Sequence, residues 1–253
     1  MNIRTAGAGD GLKWITEGFQ LFTRNAGMWV VLAVLMLVGT LIVALIPILG
    51  SLAIALFWPV LVGGLLLGCR DVDNGRALQL PHLYAGFQSG ARMTQLVLVG
   101  VAYLVVTFVL MAIIMATVGM PMLQGMRPGS AHGMAGAGGM GGMLIALLVG
   151  LAVLVPVAMA IWFAPSLILF NALSAVEAMK QSFAACLRNI VPFLVYGVIA
   201  FVLSLIAAIP FGLGFIVLIP VMVCSVYVSY KALFDASPAP ANAASPATNP
   251  LLR

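Results

Sequence analysis

Between Arg24 and Arg70 the chain carries no Asp, Glu, Lys, Arg or His, and the same holds between Arg188 and Lys231. Each run has room for two apolar segments of about 20 residues, the length that crosses a hydrocarbon core of about 30 Å. Inside lipid every backbone polar group must find its partner within the protein, so a spanning segment is a helix or a strand of a closed barrel. Barrel strands alternate apolar and polar residues. Residues 30–46 are apolar on every side except for Gly39 and Thr40, so they read as helix. Each run is therefore a helix hairpin. Pro47-Ile-Leu-Gly50 turns the first, and Pro210-Phe-Gly-Leu-Gly214 turns the second.

The rest of the chain obeys the same constraint. It is 64% hydrophobic and 7% charged, whereas a soluble domain is about half apolar and about a quarter charged. The spacing predicts spans at 27–46, 50–69, 94–118, 190–209 and 214–233. A further span starts near Met143. No charge follows it until Glu177, too long for one straight crossing, so it should tilt, protrude or break, with Pro156 and Pro165 as the places for a break. Residues 236–253 are rich in Ala, Pro, Ser and Asn and read as a disordered tail.

A short pattern precedes the spans: an aromatic, four residues, then an arginine. It occurs as Phe19 to Arg24, Phe87 to Arg92 and Phe183 to Arg188, with Asn25 and Asn189 following the first and third copies. Apolar residues around each copy recur three and four apart, the spacing of one helix face. Three amphipathic interfacial helices are expected, at about 10–24, 80–92 and 175–188. In the first, Asp10 caps, Lys13 pairs with Glu17, and Trp14 suits headgroup depth. In the third, Ser174 and Glu177 form a capping box. A proline recurs in the second span of each unit, at Pro59, Pro165 and Pro220, where it should kink the helix.

The expected architecture is thus an all-α, polytopic transmembrane helix bundle of six spans with three interfacial helices. It is a three-fold helix-hairpin repeat within one membrane domain, 1–235, with units at about 9–73, 80–173 and 174–235. With six spans, one side holds every Lys and Arg except Arg127. That asymmetry places both termini and the interfacial helices on the cytoplasmic side. There the basic residues meet anionic lipid headgroups, each contact worth on the order of 1 kcal/mol. The net charge of +5 is then a topology signal, and no nucleic-acid partner is expected. No cleavable signal peptide is read, and the expected location is the bacterial inner (plasma) membrane.

Chemistry is sparse. The predicted spans hold no ionisable residue of the kind that marks proton relays or ion pathways. Thr107, Asn171, Ser204, Ser225 and Tyr227 read as interhelical hydrogen-bonding groups. Asp71 and Asp73 read as part of a solvated turn, and His82 as a loop histidine. Cys69, Cys186 and Cys224 share no metal-ligand spacing. No nucleophile–base pair or phosphate loop is present, so no enzyme and no cofactor are expected. The Met/Gly-rich loop 120–142 offers Met120, Met122, Met126, His132 and Met134 as soft donors suited to Cu(I) or Ag(I). The reading is a non-enzymatic inner-membrane protein with a structural, scaffolding or lipid-associated role. The alternatives are a permease for a small neutral or lipidic solute, lined by Thr107, Asn171 and Tyr227, and a Cu(I)/Ag(I) handling protein.

Glu177-Ala-Met-Lys-Gln-Ser-Phe183, Arg188-Asn189, Pro192-Phe193-Leu194 and the closing Tyr227-Val-Ser-Tyr-Lys231 resemble the membrane domain fused to some glycerophosphoryl diester phosphodiesterases. The start, Gly11-Leu-Lys-Trp-Ile-Thr-Glu-Gly-Phe19, resembles a proteobacterial family of uncharacterised inner-membrane proteins. The resemblance spans about residues 9–235 and implies a six-helix membrane bundle with re-entrant or interfacial helices. It implies no hydrolysis, because the chain has no soluble catalytic domain.

Overall fold

The computed structural model describes residues 3–119 and 140–234. Among them are six helices long and apolar enough to cross a membrane and no strand. The elements are α1 (Asp10–Thr23), α2 (Ala26–Ala44), α3 (Leu49–Asp73), α4 (Ala91–Ile114), α5 (Met140–Trp162), α6 (Ala164–Asn171), α7 (Ala175–Arg188), α8 (Ile190–Ala208) and α9 (Phe215–Phe234). These six are α2, α3, α4, the α5–α6 pair, α8 and α9.

Helices α1 and α7 each end in one non-helical asparagine that starts the next span. Asn25 sits at φ −143°, ψ 41° and Asn189 at φ −119°, ψ 36°. In both, the asparagine carbonyl accepts from the N–H of the aromatic four residues on, Trp29 or Phe193, at 3.1 Å. Residues 80–92 depart from the expected α-helix. A 3₁₀ turn over Leu80–Leu83 gives way to successive turns, and α4 begins at Ala91. The cause is local: Pro81 lies at the start of the turn, Gly90 has φ +61°, and Gly86 packs its backbone on the Val60 carbonyl.

The apolar stripes of α1 and α7 are divided between inside and outside. In α1, Gly11, Trp14, Ile15, Gly18, Leu21 and Phe22 are buried, while Leu12 and Phe19 face outward. In α7, Ala178, Ser182 and Ala185 meet the bundle and Val176, Phe183 and Leu187 face outward. Small residues let backbones approach closely, and packing of that kind drives helix association where lipid removes the hydrophobic gain. Trp14 lies 2% exposed, packed against Phe193 and Tyr196. Lys13 pairs with Asp10 at 3.0 Å, not with Glu17, and Asp10 also accepts from the Gly7 N–H at 2.7 Å. That lysine holds the Asp10 carboxyl below its ordinary range.

The long apolar run 144–173 breaks at Phe163. Helix α5 runs through Pro156 and stops at Trp162, three residues before Pro165, which lies in the first turn of α6. The Ser182 hydroxyl, from α7, fills the break. It donates to the Met159 carbonyl at 2.6 Å and accepts from the Phe163 N–H at 2.9 Å, so it inserts into the hydrogen bond the helix has lost. Ser182 is fully buried. Ser182→Ala should leave the Phe163 N–H unpaired and lower stability by about 1–3 kcal/mol, read as a fall in melting temperature in mild detergent. Ser182→Thr, which keeps the hydroxyl, should recover part of the loss.

Candidate functional site

The long apolar helices do not close on one another everywhere. A cavity of about 810 Å³ lies between them. Its walls come from α3, α4, α5, α6, α8 and α9, with Pro59 of α3 and Pro165 of α6 among the lining residues. Proline gives up a backbone N–H and displaces the carbonyl one turn back, which spreads α3 beside Trp58 and separates α5 from α6. Pro220 is buried within α9, and its neighbours Leu218 and Ile219 face the cavity.

One end of the cavity is closed by aromatic rings. Trp162 meets Tyr196 edge-on at 5.6 Å, and Tyr196 in turn touches Trp14 and Phe193. The Tyr196 hydroxyl pairs with Ser225 Oγ at 2.7 Å. The other end reaches the first turns of α3 and α9, at Ser51 and Phe215. The wall hydroxyls of Ser51 and Ser204 donate to their own helix, to the Ile48 and Ala200 carbonyls at 2.8 and 2.7 Å. The serine oxygens can still accept, and Trp162 Nε1 is buried without a partner, but most of the surface offered to an occupant is hydrocarbon.

The polar residues expected to line a solute path lie elsewhere. Thr107 donates to the Tyr103 carbonyl of its own helix at 2.9 Å. The Asn171 side chain accepts from the Tyr230 hydroxyl at 2.6 Å, and Tyr227 donates to Asp73 at 3.1 Å. Asp73 also pairs with Lys231 at 2.6 Å. Asp71 instead takes Arg76 at 2.6 Å and His82 at 3.1 Å. The two carboxylates thus serve different partners across a helix end, and no group of three or more His, Cys, Asp or Glu converges among the described residues. Met120, Met122, Met126, His132 and Met134 lie outside the described residues, as does the tail 236–253.

The three arginines of the recurring pattern, Arg24, Arg92 and Arg188, are exposed and make no ion pair among the described residues. Their aromatic partners Phe19, Phe87 and Phe183 are also exposed. The asparagines differ. Asn189 is 1% exposed and holds the amino-terminal strap: Nδ2 donates to the Arg4 carbonyl at 3.1 Å, and Oδ1 accepts from the Ala6 N–H at 2.7 Å. Asn25 is half-buried. Nothing in its sequence surroundings separates it from Asn189. The difference comes from residues 3–6, which run beside Asn189 and bond to Leu233 of α9.

All three cysteines are buried, and Cys69 and Cys224 bring their sulfurs to 3.6 Å between α3 and α9. Burial pushes the Cys186 thiol up to about 12. A thiol held neutral in the fold but free to ionise when unfolded favours the fold below its ordinary pKa, and this contribution fades as pH rises from about 9 toward 12. Cys186 should resist a membrane-permeant maleimide at pH 7.5 and react promptly once the protein is unfolded in dodecyl sulfate, followed by mass shift.

The chain is 31% identical over 254 residues to a probable inner membrane protein of Burkholderia thailandensis, an alignment covering 92% of this chain and 94% of the relative. No family model matches the chain, and no solved structure matches it. The full-length alignment agrees with the six apolar helices, and the chain belongs to the family of that probable inner membrane protein.

Proposed function

We propose that this inner-membrane protein is lipid-associated and non-enzymatic, holding membrane lipid both at its surface helices and within its bundle. The observation that carries the reading is the cavity of about 810 Å³ at bilayer depth, walled mostly by hydrocarbon. Sites for small organic molecules span about 300–1,000 Å³, so the space suits an organic ligand rather than an ion. Ser51 and Ser204 have given their hydroxyl protons to their own helix, so toward a polar solute they could only accept; with the rest of the wall mostly apolar, this counts against a permease for small neutral polar solutes.

The surface helices support the same reading. Outward Leu12 and Phe19 on α1, and Val176, Phe183 and Leu187 on α7, suit insertion at the acyl boundary. Exposed Arg24, Arg92 and Arg188 on the same side suit anionic headgroups. In this proposal both termini are cytoplasmic, and the chain is one membrane domain of three helix-hairpin units. The matched backbone at Asn25 and Asn189 supports the first and third units. The likeness to phosphodiesterase membrane domains, resting on the motifs of the third unit, extends the proposal to shared ancestry.

Native mass spectrometry of the gently extracted protein tests the function. Retained phospholipid, with an anionic preference that weakens in Arg24→Gln/Arg188→Gln, is the expected result. A protein that keeps no lipid at any activation energy would sink the reading. Reporter fusions at both ends test the topology: alkaline phosphatase should be inactive and green fluorescent protein bright.

A further inference from the structure

Resting on the lipid-associated reading, we infer that the cavity is a seat for a single acyl chain of a bilayer glycerolipid. The chain enters sideways between α5 and α8, with its headgroup left at the end away from the surface helices.

The walls form an open ring. Helix α5 packs on α4, α4 on α3, α3 on α9 and α9 on α8, but α5 and α8 face each other across the cavity with almost no backbone approach among the described residues. They meet at one end only, where the Trp162 ring touches Phe193 and Tyr196. Above that floor, Leu154, Val157, Ala158 and Ile161 of α5 line the cavity. One turn further along the same stripe is Gly150, where an added Cβ would meet nothing within 4 Å. Helix α5 therefore stays clear of neighbours one turn beyond its lining residues, away from the aromatic floor.

An opening of this shape at bilayer depth is reached from lipid, not from water. Filling it with water would leave its apolar wall wet, at about 25 cal/mol for each Å². A lipid tail faces no such cost and is the neighbour at hand. The aromatic floor stops the methyl end, so the polar end must stay at the Ser51 and Phe215 rim. A tail already in the bilayer gains little hydrophobic energy by moving into the cavity. The seat should consequently exchange with bulk lipid and select by chain shape.

The test uses the full chain in vesicles of phosphatidylethanolamine and phosphatidylglycerol. A minor fraction of the phosphatidylethanolamine carries a diazirine either near the acyl methyl end or near the ester. After irradiation, adducts are mapped by digestion and mass spectrometry. The methyl-end probe should mark Trp162 and Ile161, and the ester-end probe should mark Ser51 and Phe215. Both should also mark the outward residues Leu148, Phe201 and Leu205. Ala158→Phe should reduce cavity adducts about tenfold, as overpacking of a filled site does, and leave outward adducts unchanged. Adducts confined to Leu148, Phe201 and Leu205, or the two probes marking the opposite ends, overturn the inference. If native mass spectra still show retained lipid in that case, the broader lipid-associated reading stands and only the tail seat falls. The wild-type map decides the matter even if Ala158→Phe does not fold.

Discussion

Asn189→Ala is expected to lower the melting temperature by about 5–15 °C, the shift that a loss of roughly 2–4 kcal/mol gives a chain of this size. The side chain is 1% exposed and makes three hydrogen bonds. Removing it leaves the Ala6 N–H and the Arg4 carbonyl without that partner, at about 1–3 kcal/mol for each buried group left unpaired. The Ala185 carbonyl is less affected, because the Asn189 backbone N–H still donates to it at 3.1 Å. The strap at residues 3–6 should come loose in the variant. Hydrogen exchange should therefore accelerate at Ala6 before any other part of the chain, and trypsin should cut after Arg4 in the folded protein. Asn25→Ala is the matched control. It alters the same position of the recurring pattern and should shift the melting temperature by no more than about 2 °C, as for a site with no buried side-chain bond. Equal effects at the two positions would show that the asparagine serves only the helix junction and that the strap contributes nothing.

Most of the architecture was legible because the membrane imposes it. Charge-free runs bounded by Arg24, Arg70, Arg188 and Lys231 leave little choice but paired spans. The expected spans fall on α2, α3, α4, the α5–α6 pair, α8 and α9 to within a few residues. Burial of the small face of each surface helix was not legible. Periodicity shows where large apolar residues line up, and in water that stripe turns inward. Here Phe19 and Phe183 face out, while Gly18, Ala178 and Ser182 face in, where their size allows close approach. Ser182 gave no signal at all, since its role depends on a helix break 19 residues away in the chain. Pro165 marked that break, but Pro156 carried the same mark and lies within an unbroken helix. The cavity was illegible for a related reason. It is defined by α5 and α8 failing to meet, and a gap between distant helices leaves no trace in local pattern. Thr107, Asn171 and Tyr227 drew attention as polar residues at depth, yet each is occupied within the protein.

Gly18→Leu should be a severely damaging change in α1, and the reason is the one that hid the packing face. Helix α1 lies mainly along α9. At Gly18 an added Cβ would sit 2.7 Å from both Cα and N of Ser225. These are backbone atoms of a spanning helix, so neither can swing aside as a side chain would. Even Gly18→Ala must push the two helices apart, with an expected cost of about 1–3 kcal/mol. Leucine adds three more carbons to the same crowded place and should lift α1 from α9 altogether. The consequence reaches the cavity. Trp14, one turn earlier on the same face, packs behind Tyr196, which with Trp162 closes the cavity floor. With α1 displaced, the floor loses its backing, so Gly18→Leu should reduce both the folded yield and the lipid retained by what folds. Gly27→Ala separates this packing effect from helix propensity. Gly27 lies in the first turn of α2 with nothing within 4 Å of an added Cβ. Alanine there should be neutral or stabilising by up to about 1 kcal/mol, because glycine is the poorer helix former. Thermal unfolding of the three variants in one detergent reads the contrast. A Gly18→Leu protein as stable as Gly27→Ala would show that α1 is a loosely held strap, and the explanation given for Trp14 would have to be abandoned.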